Sequence, residues 1–211
     1  MPLDQRLLIF VKAPRPGTVK TRLATDLGPE AACAAYRELA KQLFTNLSGA
    51  LVDVDLHFSP ADAAEEIRPW LREGWTLRPQ SEGDLGARMN AAFVAAFADG
   101  VSRVILIGSD CPDVMADDIR TAWDSLEKHD LVLGPARDGG YWLIGLTQSQ
   151  PVLFENIPWS TACVFEETVR RAESARLRVH RLRELEDVDT AADWRRFEAR
   201  RNSLEAAAAG C

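Results

Sequence analysis

The chain has 211 residues, which is enough for one domain with a complete hydrophobic core. Apolar residues make up 46% and charged residues 27%, so a disordered chain, a collagen-like fibre and a disulfide-dense scaffold are excluded. The net charge of −7 argues against a nucleic-acid-binding protein, whose contact surface is basic, and against a polybasic membrane-surface protein.

Neither export nor membrane insertion is indicated by the sequence. No run reaches the ~18 apolar residues of a membrane span, and the apolar run at 7–11 is too short for the core of a signal peptide. The cysteines at 33, 111, 163 and 211 are scattered without a CxxC pair, which favours free thiols over a disulfide framework. We therefore expect a cytoplasmic protein with no membrane span.

Taken in chain order, short β-branched runs alternate with amphipathic stretches. The patterns predict strands over 7–11, 52–58, 76–78, 103–108, 131–133, 141–144 and 178–182, a helix that begins near Lys20, and helices over 30–47, 62–71, 85–97, 117–126, 164–175 and 191–201. This alternation is typical of βαβ units, so we predict a three-layer α/β/α fold with a mostly parallel central sheet. Residues 1–203 are predicted to form one domain and residues 204–211 a flexible tail.

The loop after the first predicted strand is the first candidate binding segment, since ligands of such sheets bind outside the carboxyl ends of the strands. It reads KAPRPGTVKTRL and holds four basic residues in eleven positions. Lysine and arginine there would bind phosphate oxygens, and a solvated basic loop is the alternative. Val19 replaces the second glycine of a Walker A loop, which argues against a P-loop NTPase. The candidate nucleotide contacts of this loop are Lys12, Pro14, Gly17, Lys20 and Arg22.

Two acidic segments are candidates for holding a metal ion. Asp110 directly follows the strongest predicted strand, in GSDCPD, and Mg²⁺ takes one or two carboxylates together with substrate phosphates. The alternative for Asp110 is a helix cap, the role that we assign to Asp113. The segment EDVDT near the end of the domain offers Asp187 or Asp189 to the same ion, and the spacing does not choose between them.

Three further loops carry candidate substrate contacts. In DGGYW, a hairpin turn explains the glycines, whereas a substrate-contacting loop also explains Asp138 and Tyr141. In GDLGARM, the residues either surround a base or ribose or cap the next helix. In PWST, Trp159 contacts a substrate ring or Ser160 caps a helix. The candidate residues of these loops are Gly83, Asp84, Leu85, Asp138, Gly139, Gly140, Tyr141, Trp159 and Ser160, with Ser109 added from GSDCPD.

The ordered set of segments resembles a known family. FVKAPRPGTVKTRLA, GDLGARM, GSDCPD, GPARDGGYWLIGL, PWST and DVDTAADW resemble the bacterial nucleotide-diphospho-sugar transferase-like proteins, often labelled glycosyltransferases, over about residues 6–198. More distantly, the chain is similar to 2-phospholactate guanylyltransferase and molybdenum cofactor guanylyltransferase. The resemblance implies a GT-A-type nucleotide-binding fold, with Lys20 and Arg22 on nucleotide phosphates and with Asp110 and Asp189 on Mg²⁺, or on Mn²⁺ in its place.

A transferase that acts on a nucleotide-activated substrate is the function that the resemblance implies. We expect a glycosyltransferase with a nucleotide-diphospho-sugar donor and a small-molecule acceptor, in which Lys20, Arg22 and Asp138 are catalytic. Transfer of a nucleotidyl group from a nucleoside triphosphate to a phosphorylated acceptor is the alternative, and a non-catalytic nucleotide-sugar binding module is a second one. The sequence leaves a homodimer open.

Overall fold

The computed structural model describes residues 4–49 and 53–209, and the side chains of these residues up to position 203. The strands are β1 (Gln5–Lys12), β2 (Asp53–Ser59), β3 (Trp75–Pro79), β4 (Arg103–Gly108), β5 (Leu131–Pro135), β6 (Tyr141–Leu146) and β7 (Val179–Arg181). The helices are α1 (Thr21–Leu27), α2 (Pro29–Asn46), α3 (Ala64–Ile67), α4 (Leu85–Ala98), α5 (Ala116–Leu126), α6 (Val164–Ser174) and α7 (Ala191–Ala209). Two single-turn 3₁₀ helices span Arg68–Trp70 and Pro151–Leu153.

The strands form one mostly parallel sheet, as the alternation of elements predicts. Within the described residues the sheet has seven strands in the order β3-β2-β1-β4-β6-β5-β7. Strand β6 is antiparallel to both of its neighbours, β4 and β5, while the other pairs are parallel. The segment 136–140 that joins β5 to β6 is too short for a crossover, so these two strands must form a hairpin. The N-terminal end of β6 therefore lies at the same edge of the sheet as the carboxyl ends of the other strands.

Helices cover both faces of the sheet, which gives the predicted three layers. On one face, residues of α2 and α5 such as Leu43 and Ile119 pack against Leu7 and Ile9 of β1. On the other face, residues of α4 and α6 pack against Leu8. Alternate residues of β1 thus belong to opposite core clusters, as the period of two in a strand requires. Burial of apolar side chains on both faces is the main force that holds these layers together.

Two predicted helices, those over 62–71 and 191–201, show the largest differences in extent from the structure. The helix predicted over 62–71 is the short α3 followed by a 3₁₀ turn, because Pro69 lacks the N–H that a continuing α-helix needs. The last helix runs on from 201 to Ala209 through an alanine-rich stretch of high helix propensity. Residue 52 of the predicted second strand and residues 210–211 of the predicted tail lie outside the described residues.

The prediction that Asp113 caps the following helix is wrong. Helix α5 begins at Ala116, and its cap position is Met115, so Asp113 is two residues too early. Asp118, in the first turn of α5, helps to cap this helix end instead, since its Oδ2 accepts a 2.8 Å hydrogen bond from the Met115 backbone N–H. The Asp113 carboxylate accepts a 2.9 Å bond from Arg200 on α7, and so ties this loop to the last helix.

The described cysteines, Cys33, Cys111 and Cys163, are free thiols, and Cys211 lies outside the described residues. A search of the described residues for a helix both long and apolar enough to cross a membrane finds none.

Candidate active site

A cavity of about 520 Å³ opens over the edge of the sheet where the predicted loops meet. Its lining includes Lys12 at the end of β1, Gly108 at the end of β4 and Tyr141 at the start of β6. Its volume lies in the range of pockets that hold small molecules and cofactors. The loops that follow β1, β3 and β4, the β5–β6 hairpin and the segment before α7 all contribute to its wall.

Lys20 lies at the charged side of the cavity, between two aspartates. Its Nζ donates to Asp189 Oδ1 at 2.9 Å and to Asp110 Oδ2 at 3.3 Å, and only 4% of its side chain is exposed. Arg22 Nη1 lies 3.4 Å from Asp189 Oδ2, and this guanidinium is largely exposed. The loop after β1, the loop after β4 and the segment before α7 are therefore joined through one ammonium group.

The backbone of Lys20 is unusual as well. Its φ of 47° and ψ of 47° are left-handed, which a residue other than glycine seldom adopts. Helix α1 starts at the next residue and has only seven residues, so the positive charge at this end of the cavity comes mainly from side chains. The left-handed turn aims the Lys20 side chain into the cavity, where its two ion pairs hold it.

The charges of this cluster shift one another's pKa values. Burial alone would lower the pKa of Lys20, but the nearby carboxylates of Asp110 and Asp189 outweigh it and raise the pKa. The Lys20 charge in turn lowers the pKa of Asp110. Burial, reinforced by the charges of Asp110 and Asp138, raises the pKa of Asp187 to about 7. Lys20 and Asp110 are consequently both charged near neutral pH.

A tyrosine behind the charged cluster fixes two loops relative to each other. Tyr36 of α2 accepts a 2.9 Å hydrogen bond from the Lys12 backbone N–H, and its hydroxyl lies 2.8 Å from Ser109 Oγ. Burial raises the pKa of Tyr36 to about 12, so it remains a neutral hydroxyl. The phenol therefore holds the end of β1 and the end of β4 together directly beneath the charged groups.

The opposite side of the cavity is apolar and aromatic. Leu85 and Met89 of α4, Tyr141 of β6 and Trp159 line this side. The Trp159 ring packs over Gly86, where an added Cβ would lie 2.7 Å from the indole and 2.4 Å from the Phe154 carbonyl oxygen. The glycine is needed here because any side chain would push against both the indole and a backbone carbonyl.

We expect Gly86→Ala to destabilise the protein and to displace Trp159. Overpacking of this kind costs about 1–3 kcal/mol, which the better helix propensity of alanine offsets only in part. Urea unfolding measures the loss, and tryptophan fluorescence reports the displaced indole. Gly49→Ala is the control, because a Cβ at Gly49 would meet no atom within 4 Å. Equal stabilities of the two variants would contradict the proposed close contact.

Most of the predicted site residues come together at this cavity. Those that line it are Lys12, Lys20, Arg22, Leu85, Ser109, Asp110, Asp138, Gly140, Tyr141, Trp159, Ser160, Asp187 and Asp189. The hairpin interpretation of the DGGYW glycines is confirmed, since they lie in the connection between β5 and β6. Asp138 and Tyr141 line the cavity, and their contact with a substrate stays a prediction. Ser160 does not cap α6, whose cap position is Cys163.

Five predicted contact residues lie off the cavity wall and instead shape the loops that surround it. Pro14 is buried, and its carbonyl accepts a 3.0 Å bond from Arg37 of α2. Gly17 and Gly83 have φ values of 79° and 107°. Gly139 has φ of 89° and abuts the backbone of Ala162, with no room for a Cβ. The fifth residue, Asp84, is the N-cap of α4.

Asp84 gives a direct test of the capping interpretation. Its Oδ1 accepts a 2.8 Å hydrogen bond from the Ala87 backbone N–H. Asp84→Ala is expected to lower the free energy of unfolding by about 1 kcal/mol, whereas Asp84→Asn keeps most of the cap. Chemical denaturation measures both changes. The control is Glu82→Ala in the same exposed loop, for which we expect a change within about 0.5 kcal/mol. A similar loss at both positions would contradict a specific cap.

Three residues of the site were missed from the sequence. Gln80 and Arg88 line the cavity and are hydrogen-bonded to each other at 2.9 Å. Arg88 is part of GDLGARM and lies one helical turn after Asp84, on the same face of the predicted helix. This spacing could have indicated from the sequence that Arg88 belongs to the site. Tyr36 lies within an amphipathic helix, and no local pattern distinguishes it from a core residue.

The comparisons with known proteins concern the family and the fold of the chain. The family model described as "Uncharacterized protein conserved in bacteria (DUF2064)" matches residues 43–161. A solved structure of a candidate nucleotide-diphospho-sugar transferase from Desulfovibrio desulfuricans G20 is 38% identical, over 90% of this chain and 84% of that chain, with a TM-score of 0.84. The chain belongs to the DUF2064 family. The resemblance that the ordered segments indicate is thereby confirmed, as is the fold class. No curated protein matches the sequence.

More distant solved structures share the fold of this DUF2064 protein. Rv0371c from Mycobacterium tuberculosis H37Rv, in complex with manganese, is 18% identical over 91% of this chain and 96% of that chain, with a TM-score of 0.54. The 4-diphosphocytidyl-2C-methyl-D-erythritol synthase from Anaerococcus prevotii is 9% identical over 90% and 93% of the two chains, with a TM-score of 0.60. At these identities the likeness concerns the fold alone.

Proposed function

We propose that this protein is a divalent-metal-dependent transferase that takes a nucleotide-diphospho-sugar and transfers the sugar to a small acceptor. The observation that carries the proposal is the pairing of cations and carboxylates on one side of a single cavity. Lys20 and Arg22 suit phosphate oxygens, and Asp110 and Asp189 suit a hard metal ion. The likeness to the 38% identical structure supports the sugar-nucleotide version.

The residues present fit Mg²⁺ or Mn²⁺ by their chemistry. Oxygens of Asp110 and Asp189 already converge on one positive charge, the Lys20 ammonium, which stands in for a cation between them. Within the described residues no group of three or more acidic, histidine or cysteine side chains forms a complete metal cage. Mg²⁺ usually binds through one or two carboxylates plus substrate phosphates and water, so two carboxylates suffice. When bound, such an ion would neutralise charge on the departing diphosphate.

The side chains of the cavity then have separate tasks. Lys20 and Arg22 hold the diphosphate and stabilise the charge that grows as the bond to the sugar breaks. Asp138 Oδ1 accepts a 2.9 Å bond from the Gly140 N–H, which orients the carboxylate. The other carboxylate oxygen of Asp138 then acts as the general base. It takes the proton of an acceptor hydroxyl while the hydroxyl oxygen attacks the sugar carbon. Trp159 and Tyr141 supply aromatic surface for a sugar or base ring.

Nucleotidyl transfer is the second candidate, and the fold of the Anaerococcus prevotii synthase is the observation that favours it. In that reaction a phosphate of the acceptor attacks the α-phosphorus of a nucleoside triphosphate, and pyrophosphate leaves. The same cations would hold the triphosphate. Asp138 would have no proton to remove, because a phosphate acceptor is already ionised near neutral pH.

The identity of the released product distinguishes these functions. The protein is incubated with UDP-, GDP-, ADP- and CDP-sugars and a panel of small hydroxylic acceptors, and separately with nucleoside triphosphates and sugar phosphates. We expect release of a nucleoside diphosphate that depends on Mg²⁺ or Mn²⁺ and stops on addition of EDTA. Release of pyrophosphate alone would establish nucleotidyl transfer. Nucleotide binding that survives EDTA, without turnover, would support a binding module.

A further inference from the structure

Two of the cationic side chains that line the cavity, Lys20 and Arg88, approach it from opposite faces of the sheet. Lys20 precedes α1, which packs on α2 and so belongs to the face where α2 covers β1. Arg88 lies on α4, which covers the opposite face, as the packing of Met89 against Leu8 shows. A diphosphate held by Lys20 therefore leaves Arg88 available for another part of the same ligand.

The surroundings of Arg88 suit a flat heterocycle. Leu85, Met89, Tyr141 and Trp159 line this side of the cavity. Burial raises the pKa of Tyr141, so the ring is a neutral phenol, and its hydroxyl contacts Met89 Sδ at 3.9 Å. Aromatic and apolar walls bind a nucleobase through its faces, and recognition of its edge is left to polar groups.

Gln80 fixes the Arg88 guanidinium in one orientation. Gln80 Nε2 donates to the carbonyls of Val11 at 3.2 Å and of His57 at 2.9 Å, at the ends of β1 and β2. Its Oε1 is thereby turned to Arg88 Nη1, from which it accepts a 2.9 Å bond. Arg88 Nε donates to the Asp84 carbonyl at 3.3 Å. Within the part of the chain that the structure describes, Nη2 of Arg88 has no acceptor and Nη1 has only Gln80 Oε1, so Nη2 and the second hydrogen of Nη1 are left for a two-donor contact.

We infer that Arg88 selects the nucleobase of the substrate, and that it favours guanine or cytosine over adenine and uracil; this rests on the proposed function. A guanidinium offers only donors, and both donors of Gln80 are already used on backbone carbonyls. Guanine presents two adjacent acceptors, O6 and N7, and cytosine presents O2 and N3. Adenine and uracil place an N–H group beside the acceptor, which would face the guanidinium donors unpaired.

Calorimetry with five probes tests this assignment. GDP, CDP, ADP, UDP and inorganic pyrophosphate are titrated into the full-length protein with Mg²⁺ present. We expect GDP or CDP to bind about 5–150-fold more tightly than ADP and UDP, the range that one bidentate arginine contact gives. Arg88→Gln and Arg88→Lys should both remove this preference, because neither side chain supplies the fork, while the affinity for pyrophosphate stays unchanged.

Two further variants separate the role of Arg88 from that of the phosphate-binding residues. Lys20→Met should weaken pyrophosphate binding yet keep the order of the four nucleotides. Arg120 is an exposed arginine of α5 away from the cavity. Arg120→Gln should change neither the affinity for pyrophosphate nor the order of the four nucleotides. Circular dichroism and urea unfolding establish that each variant is folded. Both Arg88→Gln and Arg88→Lys must lose the preference among the four nucleotides.

The possible failures are distinguishable. Equal binding of all four nucleotides to the wild-type protein would overturn the inference and leave the proposed function standing. A loss of pyrophosphate affinity in Arg88→Gln would also overturn it, because it would assign Arg88 to the phosphates. No binding of any of the five probes to the wild-type protein would overturn the proposed function, and the inference with it.

Discussion

Asp110→Asn is expected to lower the rate of transfer by about 10²–10³-fold while the protein stays folded. Losses of that size follow removal of one preorganised electrostatic group from an active site. An asparagine has nearly the same shape as an aspartate but supplies no negative charge to a metal ion. The fold should persist because Lys20 keeps its 2.9 Å ion pair with Asp189, so the buried ammonium is not left without a partner.

The measurement for Asp110 combines rate and metal titration. Product release is followed as Mn²⁺ is increased, and the variant should need more Mn²⁺ for half of its remaining activity. Asp113→Asn is the matched control, since Asp113 lies in the same loop but bonds Arg200 away from the cavity. We expect wild-type rates for the control. A fully active Asp110→Asn protein would exclude Asp110 as a metal ligand.

Lys20→Met is expected to change the affinities for two ligands in opposite directions. Nucleotide binding should weaken by about 10–150-fold, because a hydrogen bond that involves a charged group contributes about 1.5–3 kcal/mol. Binding of Mn²⁺ in the absence of nucleotide should instead become at least about tenfold tighter, equivalent to about 1.4 kcal/mol. In the wild-type protein the ammonium already lies between Asp110 and Asp189, and a metal ion must displace it.

Electron paramagnetic resonance of free Mn²⁺ measures the metal affinity, and calorimetry with a nucleoside diphosphate measures the nucleotide affinity. Lys128→Met is the control for the loss of one positive charge, because Lys128 is exposed and lies off the cavity wall. It should leave both affinities unchanged. Weaker Mn²⁺ binding in Lys20→Met would show that Lys20 does not compete with the metal for the two carboxylates.

The charged cluster of the cavity is formed by groups that are far apart in the sequence. Lys20 lies 90 residues from Asp110 and 169 residues from Asp189. The loops that carry them could be predicted, because the ligands of a parallel sheet gather at the carboxyl ends of its strands. The direct contact between Lys20 and both carboxylates could not, since spacing along the chain says nothing about the length and direction of side chains that meet across a cavity.

Asp84 and Asp113 show the same limit at helix ends. Both precede a helix in a loop of similar composition, yet Asp84 is the cap of α4 and Asp113 lies two residues too early to cap α5. Helix starts vary by one or two residues with tertiary packing, and a cap must occupy one position. Asp118, inside the first turn of α5, accepts the hydrogen bond from the cap residue Met115 instead.

The sequence by itself determined the layered α/β class and the edge of the sheet at which the candidate site lies. Hydrophobic periodicity is a local property, and it is imposed by which faces of each strand and helix must be buried. Only the tertiary structure decided that Lys20 pairs with both Asp110 and Asp189, and that Gln80 orients Arg88 through the carbonyls of Val11 and His57. These contacts join separate strands and loops, so they exist only once the sheet has brought those segments together.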